Sequence, residues 1–236
     1  MANSICVVGE SGTGKSTSLG QIPELGIIGL DPKETVIINV MGKPLPFKGG
    51  RSNYNVPVSQ GGNYACVNDS KTVVTILNAI NTGRADIKNV VIDDAQYSMA
   101  NEFMEKANKK GFEKFTEIAL GAYNIITVGN AMRPDINFIY LTHSDFDDKA
   151  GTYKMKTIGK LLDEKVNLAG LFTVLLYTNT IYDATEKKMS YNFVTNKMVN
   201  NQGIEIPAKS PIGMFDELLI PNDLGLVVKK TNEYYG

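Results

Sequence analysis

The sequence predicts an α/β fold built on a mostly parallel central sheet with helices on both faces, and three observations carry that expectation. Short β-branched runs recur along the chain, segments long enough for helices separate them, and the first run passes directly into a glycine-rich turn. Strands apolar on both faces that alternate with helical stretches belong in a parallel sheet covered on both sides. With 236 residues, 43% of them hydrophobic, the chain can bury one ample core and is short for two independent enzyme domains. A single domain over residues 1–236 is expected, with an irregular loop at 41–62 and a C-terminal extension over about 200–236.

The expected strands are Ser4 to Val8, Thr35 to Val40, Asn89 to Asp93, Asn137 to Thr142, Phe172 to Thr178 and a weaker Met189 to Thr195. Asp69 to Thr82 reads as a helix because Val73, Val74, Leu77 and Ile80 recur at helical spacing and Asn81-Thr82-Gly83 provides a stop. Met99 to Lys110, Phe112 to Met132 and Asp223 to Tyr235 read likewise, and Met155 to Val166 less clearly, with Lys160 to Lys165 its most helical part. Met41 to Gly62 holds three prolines and five glycines, which marks a long loop, and loops of that length inside a compact domain tend to be functional or disordered. Asn200 to Pro211 is a second irregular stretch.

The glycine-rich turn is Gly9-Glu10-Ser11-Gly12-Thr13-Gly14-Lys15-Ser16-Thr17, a complete GxxxxGK[ST] phosphate-binding loop after the strand Ile5-Cys6-Val7-Val8. Its glycines let backbone N–H groups turn inward as a nest for phosphate oxygens, and a helix following it would aim its positive end at the same anion. Lys15 is placed to reach the β- and γ-phosphates of ATP, Ser16 to ligate Mg²⁺ through its short hydroxyl, and Thr17 to assist at the α-phosphate.

Asn89-Val-Val-Ile-Asp93-Asp94 is an apolar strand ending in two carboxylates, the Walker B pattern of phosphate-loop NTPases. Strands of a parallel sheet open onto ligand at their carboxyl ends, so Asp93 is expected beside Ser16, holding Mg²⁺ through water, and Asp94 orients or deprotonates the attacking water. Adjacent aspartates also cap helices, and the two roles can coexist. Asn137-Phe-Ile-Tyr-Leu-Thr142 ends at His143, the chain's single histidine. That is where many ATPases of the RecA and AAA+ type carry a polar sensor of the γ-phosphate; a surface or capping histidine is the plain alternative.

Arg51, Arg84 and Arg133 are the only arginines among 24 basic side chains. If a neighbouring subunit supplies a cation to the transition state, lysines must be considered, and Lys209 is a candidate because prolines 207 and 211 would stiffen its loop. Arg133, before the His143 strand, is expected in a salt bridge at the edge opposite the nucleotide. The segment after His143 reads as a flexible loop with Lys149, Lys154, Lys156 and Lys160 beside Phe146 and Tyr153. Lysines supply phosphate attraction and aromatic rings a stacking face, the ingredients of sequence-neutral single-stranded DNA binding, although Asp145, Asp147 and Asp148 offset part of the charge. Lys106, Lys109, Lys110 and Lys114 read as helical surface.

Taken in order, these residues resemble the RecA-like phage ATPases of the Sak single-strand annealing and recombination group. The resemblance rests on Gly9 to Thr17, Val36 to Phe47 with its Gly42-Lys43-Pro44, the Asp93-Asp94 strand, Thr142-His143, Gly159 to Asp163, Ala208 to Pro211 and Met214-Phe215. It implies a Mg²⁺-dependent ATPase that assembles into homo-oligomeric rings or filaments and acts on single-stranded DNA in phage recombination or replication. One departure is Asn39, where RecA has a catalytic glutamate, which leaves the burden on Asp94 or leaves hydrolysis slow. An ATP-controlled loader or packaging switch is therefore an alternative, and a small-molecule phosphate-loop kinase another that the scarcity of arginine disfavours.

The formal net charge of -1 requires any DNA site to be local. Cys6 and Cys66 lack metal-ligand spacing and are expected as reduced thiols. The N-terminal apolar run ends at Glu10, too short for a membrane span and without a basic start, so the cytoplasm is the expected compartment, the host's if the chain is phage-encoded.

Overall fold

A computed structural model describes residues 1–236 except 160, 163, 164 and 201. Twelve strands are seen among the described residues: β1 (Asn3–Val8), β2 (Thr35–Asn39), β3 (Tyr64–Cys66), β4 (Asn89–Asp93), β5 (Asn137–Thr142), β6 (Ser144–Asp147), β7 (Thr152–Met155), β8 (Val174–Asp183), β9 (Lys188–Val194), β10 (Met198–Val199), β11 (Glu205–Ile206) and β12 (Leu219–Pro221). The α-helices described are α1 (Gly50–Asn53), α2 (Ser70–Gly83), α3 (Gln96–Glu105), α4 (Glu113–Asn130) and, numbered here α5, Leu224–Tyr235.

The main sheet runs β12-β9-β8-β1-β5-β4-β2-β3. Its six strands from β3 to β8 are mutually parallel, while β9 and β12 add an antiparallel edge. The expected α/β architecture is present. Alternate residues of the central strands enter different cores: Cys6, Val8, Val90, Ile92, Phe138 and Tyr140 face α2, α3 and α4. Ile5, Val7, Val91, Ile139 and Leu141 face α5 and the irregular segments that carry Leu19, Leu30, Leu45 and Tyr54. Covering both faces removes every central strand from water, which is why these strands read as continuous apolar runs.

Local signals explain the helix starts. Asp69 caps α2 by accepting from the Thr72 N–H at 2.8 Å, and Asp223 caps α5 by accepting from Gly225 and Leu226. Asp223 also receives the N–H groups of Ile28 and Gly29 through its two oxygens, so one carboxylate ties the C-terminal helix to the segment after the phosphate loop. The C-terminal extension is thus built into the sheet and its cover, through β12 and α5.

Three expectations are corrected. The phosphate loop is followed by a single 3₁₀ turn, Thr17–Leu19, in place of an α-helix; Gly20 is extended at φ -76° and ψ 145°, and Pro23 begins the next short turn. The segment after His143 is a hairpin, β6–β7, in a small four-stranded sheet of order β10-β11-β7-β6, in place of a flexible loop. Its Phe146 and Tyr153 rings pack edge-on at 5.4 Å across the strand pair, and β7 also pairs with the distant β11. Met155, expected to open a helix, ends β7; of the expected helix from Lys160 to Lys165, residues 160, 163 and 164 lie outside the described residues.

Arg133 does form its salt bridge, with Asp135 at 2.8 Å, but its guanidinium mainly caps the end of α2. It donates to the carbonyls of Ile80, Asn81, Arg84 and Ile87. The Ile80 and Arg84 carbonyls also accept the backbone N–H groups of Arg84 and Ile87, and charge-assisted bonds like those the guanidinium adds are among the stronger ones. Arg133→Ala is expected to lower unfolding free energy by about 1–3 kcal/mol in urea titrations while leaving nucleotide affinity unchanged; a midpoint indistinguishable from wild type would remove this role.

Candidate functional site

The carboxyl ends of β1, β4 and β5 meet at one edge of the sheet. Because β5 lies between β1 and β4 in register, Val8 opposite Thr142 and Ile92 opposite Tyr140, the phosphate loop, Asp93-Asp94 and His143 emerge side by side. They line a cleft of about 590 Å³. Its other walls are Lys43 with Pro44 and Pro46, Ile27, and the β9 side chains Met189 and Tyr191 with Asn222.

Within the loop, Gly12 and Gly14 have φ of 79° and 88°, left-handed values that favour glycine. Thr13 is held from two sides: the Thr178 hydroxyl of β8 donates to its Oγ1 at 2.9 Å, and Asn222 Nδ2 donates to its carbonyl at 3.1 Å. Gly9, Glu10 and Thr13 also line a smaller hollow on the other side of the loop; Ser11, Gly12, Gly14, Lys15, Ser16 and Thr17 line the main cleft.

Lys15 is buried, and its ammonium donates to the carbonyls of Gly9 at 2.8 Å and Glu10 at 2.7 Å. Burial lowers its pKa to about 8, against the pull of Asp94 and Asp93. The group remains a cation at neutral pH, with little stabilising it beyond two carbonyl oxygens and nearby carboxylates. An anion arriving in the loop would restore what burial removes.

Ser16 Oγ donates to Asp93 Oδ1 at 2.7 Å, joining the loop to β4. Asp93 is 5% exposed, and burial pushes its carboxyl up to about 6, opposed by the Ser16 bond. A hydroxyl and one carboxylate are a poor all-protein metal cage, and no cluster of three His, Cys, Asp or Glu side chains suited to a metal is found among the described residues. They fit Mg²⁺, which keeps waters and takes its remaining ligands from substrate phosphates.

Asp94 has φ 57°, a left-handed conformation that aspartate tolerates better than most non-glycine residues. It does not act as a side-chain cap for α3, whose N-cap position is Ala95. Its carboxylate instead meets Lys43 Nζ at 2.9 Å and lies 3.5 Å from His143 Nε2. Burial and then the Lys15 charge hold His143 below its ordinary pKa, so it is neutral at pH 7. Its ring packs edge-on against Tyr97 at 5.7 Å, and its backbone N–H donates to Gln96 Oε1 at 3.2 Å.

The candidate DNA residues lie elsewhere. Lys149 is exposed at the β6–β7 turn, and Lys154 pairs with Asp147 at 3.3 Å. Lys156 is exposed, and its N–H donates to the His143 carbonyl at 2.8 Å, which ties the hairpin's return to the cleft edge. Lys160 lies outside the described residues. Lys209 is paired through its backbone to Leu175 in both directions, and its ammonium is 3.4 Å from the Gly170 carbonyl. It shares a separate groove of about 490 Å³ with Tyr153 and Lys154 and does not line the main cleft of its own chain. Of the four lysines expected on helical surface only Lys114 lies in a helix, α4; Lys106, Lys109 and Lys110 follow the end of α3, where Lys106 and Lys109 pair with Glu117 of α4. Sequence reasoning assigned no role to Lys43, Asn222, Met189 or Tyr191; only the motif around Lys43 carried a signal, since the others reach the cleft from distant strands.

The raised carboxyl of Asp93 has a thermodynamic consequence. Its folded pKa of about 6 exceeds the unfolded value of about 3.9, so ionising it in the native state costs stability as pH rises through that window, and the full cost remains above it. Without nucleotide or metal, Asp93→Asn should be more stable than wild type at pH 7.5, by on the order of 2 kcal/mol, with the difference vanishing near pH 4. Equal unfolding midpoints at pH 7.5 would contradict the burial argument. No protein-family model and no curated protein matches this chain. Among solved structures, the KaiC-like protein PH0186 from the archaeon Pyrococcus horikoshii OT3 is similar at 13% identity, covering 83% of this chain and 79% of that one with a TM-score of 0.43, a likeness too distant to bear on function.

Proposed function

We propose that this chain is a Mg²⁺-dependent, RecA-like phosphate-loop ATPase. The observation that carries the reading is the 2.7 Å bond between Ser16 of the loop and Asp93 of β4, made beside the Lys15 ammonium at the mouth of a cleft large enough for a nucleotide. A hydroxyl and a carboxylate meet where a divalent ion bound to β- and γ-phosphates would lie. Magnesium, when bound, would neutralise phosphate charge and hold the triphosphate in line for attack.

The chain's own residues then divide the work. Backbone N–H groups of 9 to 17 cradle the phosphates, and Lys15 exchanges its two carbonyl partners for phosphate oxygens. Ser16 and Asp93 hold the metal. Asp94 orients the attacking water and accepts its proton, while neutral His143, hydrogen-bonding without adding charge, reports the γ-phosphate. Met189 and Tyr191 offer an apolar wall for the nucleobase. No arginine lines the cleft among the described residues, which favours hydrolysis over transfer to a small acceptor.

We further propose that the protein works as a homo-oligomer on single-stranded DNA in phage recombination or replication, as the Sak-group resemblance implies. The Lys156–His143 bond supports this by linking the γ-phosphate sensor to the hairpin carrying Lys149, Tyr153 and Lys154. Lys209 would serve a neighbouring subunit. Asn39 favours a second reading, an ATP-controlled assembly switch with slow turnover, because a carboxamide cannot act as a base.

Lys15→Ala should weaken Mg·ATP binding at least a hundredfold by calorimetry and abolish turnover; undiminished hydrolysis would refute the assignment. Single-stranded oligonucleotide at 50 mM salt should change the ATPase rate, with an affinity that falls steeply with added salt and with alanine at 149, 154 and 156. A rate indifferent to DNA at low salt would remove the nucleic-acid role. Oligomer size with and without ATP, measured beside turnover, separates motor from switch.

A further inference from the structure

Apart from Mg²⁺, the phosphate-loop reading leaves the terminal phosphate with little positive charge from the chain's own side chains. Lys15 is the one cation of the loop, His143 is neutral, and none of the chain's three arginines lines the cleft. Lys43, from the long irregular loop after β2, does line it. Its ammonium is 2.9 Å from Asp94 Oδ2 and 5.1 Å from the centre of the Tyr97 ring, so it stands at the end of the cleft where Asp94 and His143 converge.

Its position is built by local structure. Asn39, 2% exposed at the carboxyl end of β2, folds the next four residues back on themselves. Its Oδ1 accepts the Gly42 N–H at 2.8 Å, and its Nδ2 donates to the Lys43 carbonyl at 2.7 Å. Gly42 completes the turn at φ 64°, and a Cβ there would come within 2.8 Å of Cys66 Sγ. The residue standing where RecA has a catalytic glutamate is therefore the brace that aims Lys43. A carboxylate could not make both bonds, because it has no hydrogen to donate.

The partner of Lys43 in this structure is one it can leave. Its side chain is 55% exposed while that of Asp94 is 13% exposed, so the ammonium is free on its solvent side to turn toward a ligand in the cleft. The Lys43 charge also lowers the pKa of both Lys15 and His143, which places the three groups within one another's field. A triphosphate brings several negative charges into that field and competes with Asp94 for the ammonium.

Resting on the ATP-binding reading, we propose that Lys43 is a cis-acting lysine that contacts the γ-phosphate, braced by Asn39, and that moving to the phosphate releases Asp94 to handle the attacking water. Lys43 thus supplies from within the chain a positive charge at the terminal phosphate, beside whatever Lys209 of a neighbour adds. The interaction is made with a triphosphate and not with a diphosphate, which separates it from a residue that merely orients Asp94.

The test is calorimetric binding of Mg·ADP and of the non-hydrolysable β,γ-imido analogue of ATP to wild type, Lys43→Ala, Lys43→Arg and Lys15→Ala, with thermal midpoints recorded for each. Lys43→Ala should weaken the triphosphate analogue tenfold or more and leave ADP within twofold, Lys43→Arg should recover most of the difference, and Lys15→Ala should lose both ligands. Equal effects of Lys43→Ala on the two nucleotides, or no effect on either, would overturn the proposal while leaving the phosphate-loop reading intact. A wild-type protein that binds neither nucleotide would overturn both.

Discussion

The bond between Ser16 and Asp93 depends on the alignment of three parallel strands, and most of what is notable in this protein follows from that alignment. Each strand contributes residues just past its carboxyl end: a loop of turned amides from β1, two carboxylates from β4, an imidazole from β5. Antiparallel neighbours would have sent one of these to the far edge of the sheet. Parallel pairing with β5 in the middle brings all of them to one edge, and both faces of the sheet behind that edge are covered.

The electrostatics of that edge are those of a site prepared for an anion and a cation together. Burial works against the charge on Lys15 and on Asp93 alike, lowering one pKa to about 8 and raising the other to about 6. Neither group is held by a strong opposite partner: Lys15 rests on carbonyls and Asp93 on a hydroxyl. Perturbed ionisable groups gathered in a cleft point to function more often than to stability. The contrast with Arg133 is instructive, since its guanidinium is saturated with carbonyl acceptors and Asp135 and serves the end of a helix.

Asn39 illustrates how a departure from a family pattern changes meaning once its surroundings are seen. Read as a substitution for a base, it signals a loss. Its carboxamide, with one acceptor and one donor group used within four residues, instead makes a compact turn at the head of the 41–62 loop. The loop is irregular because its prolines and glycines forbid a continued element, and its first turn brings Lys43 to Asp94 at the cleft.

The parts that local sequence determined are those whose cause lies within a few residues: the β-branched strands, the periodicity of α2 with its Asp69 cap, and the order of glycines and Lys15 in the loop. The misreadings have two causes, one local and one tertiary. The helix expected after the loop is cut to one turn where Gly20 and Pro23 intervene, and the lysine-rich segment after His143 is ordered by strand pairing with β11 and by the packing of Phe146 on Tyr153. Tertiary structure alone decided that Asn222 and Thr178 grip the phosphate loop, that Met189 and Tyr191 wall the cleft, and that Lys43 reaches Asp94 across 51 positions of chain. Periodicity and turn chemistry act over one or two turns of backbone, whereas contacts between distant residues exist only once the sheet has set their register.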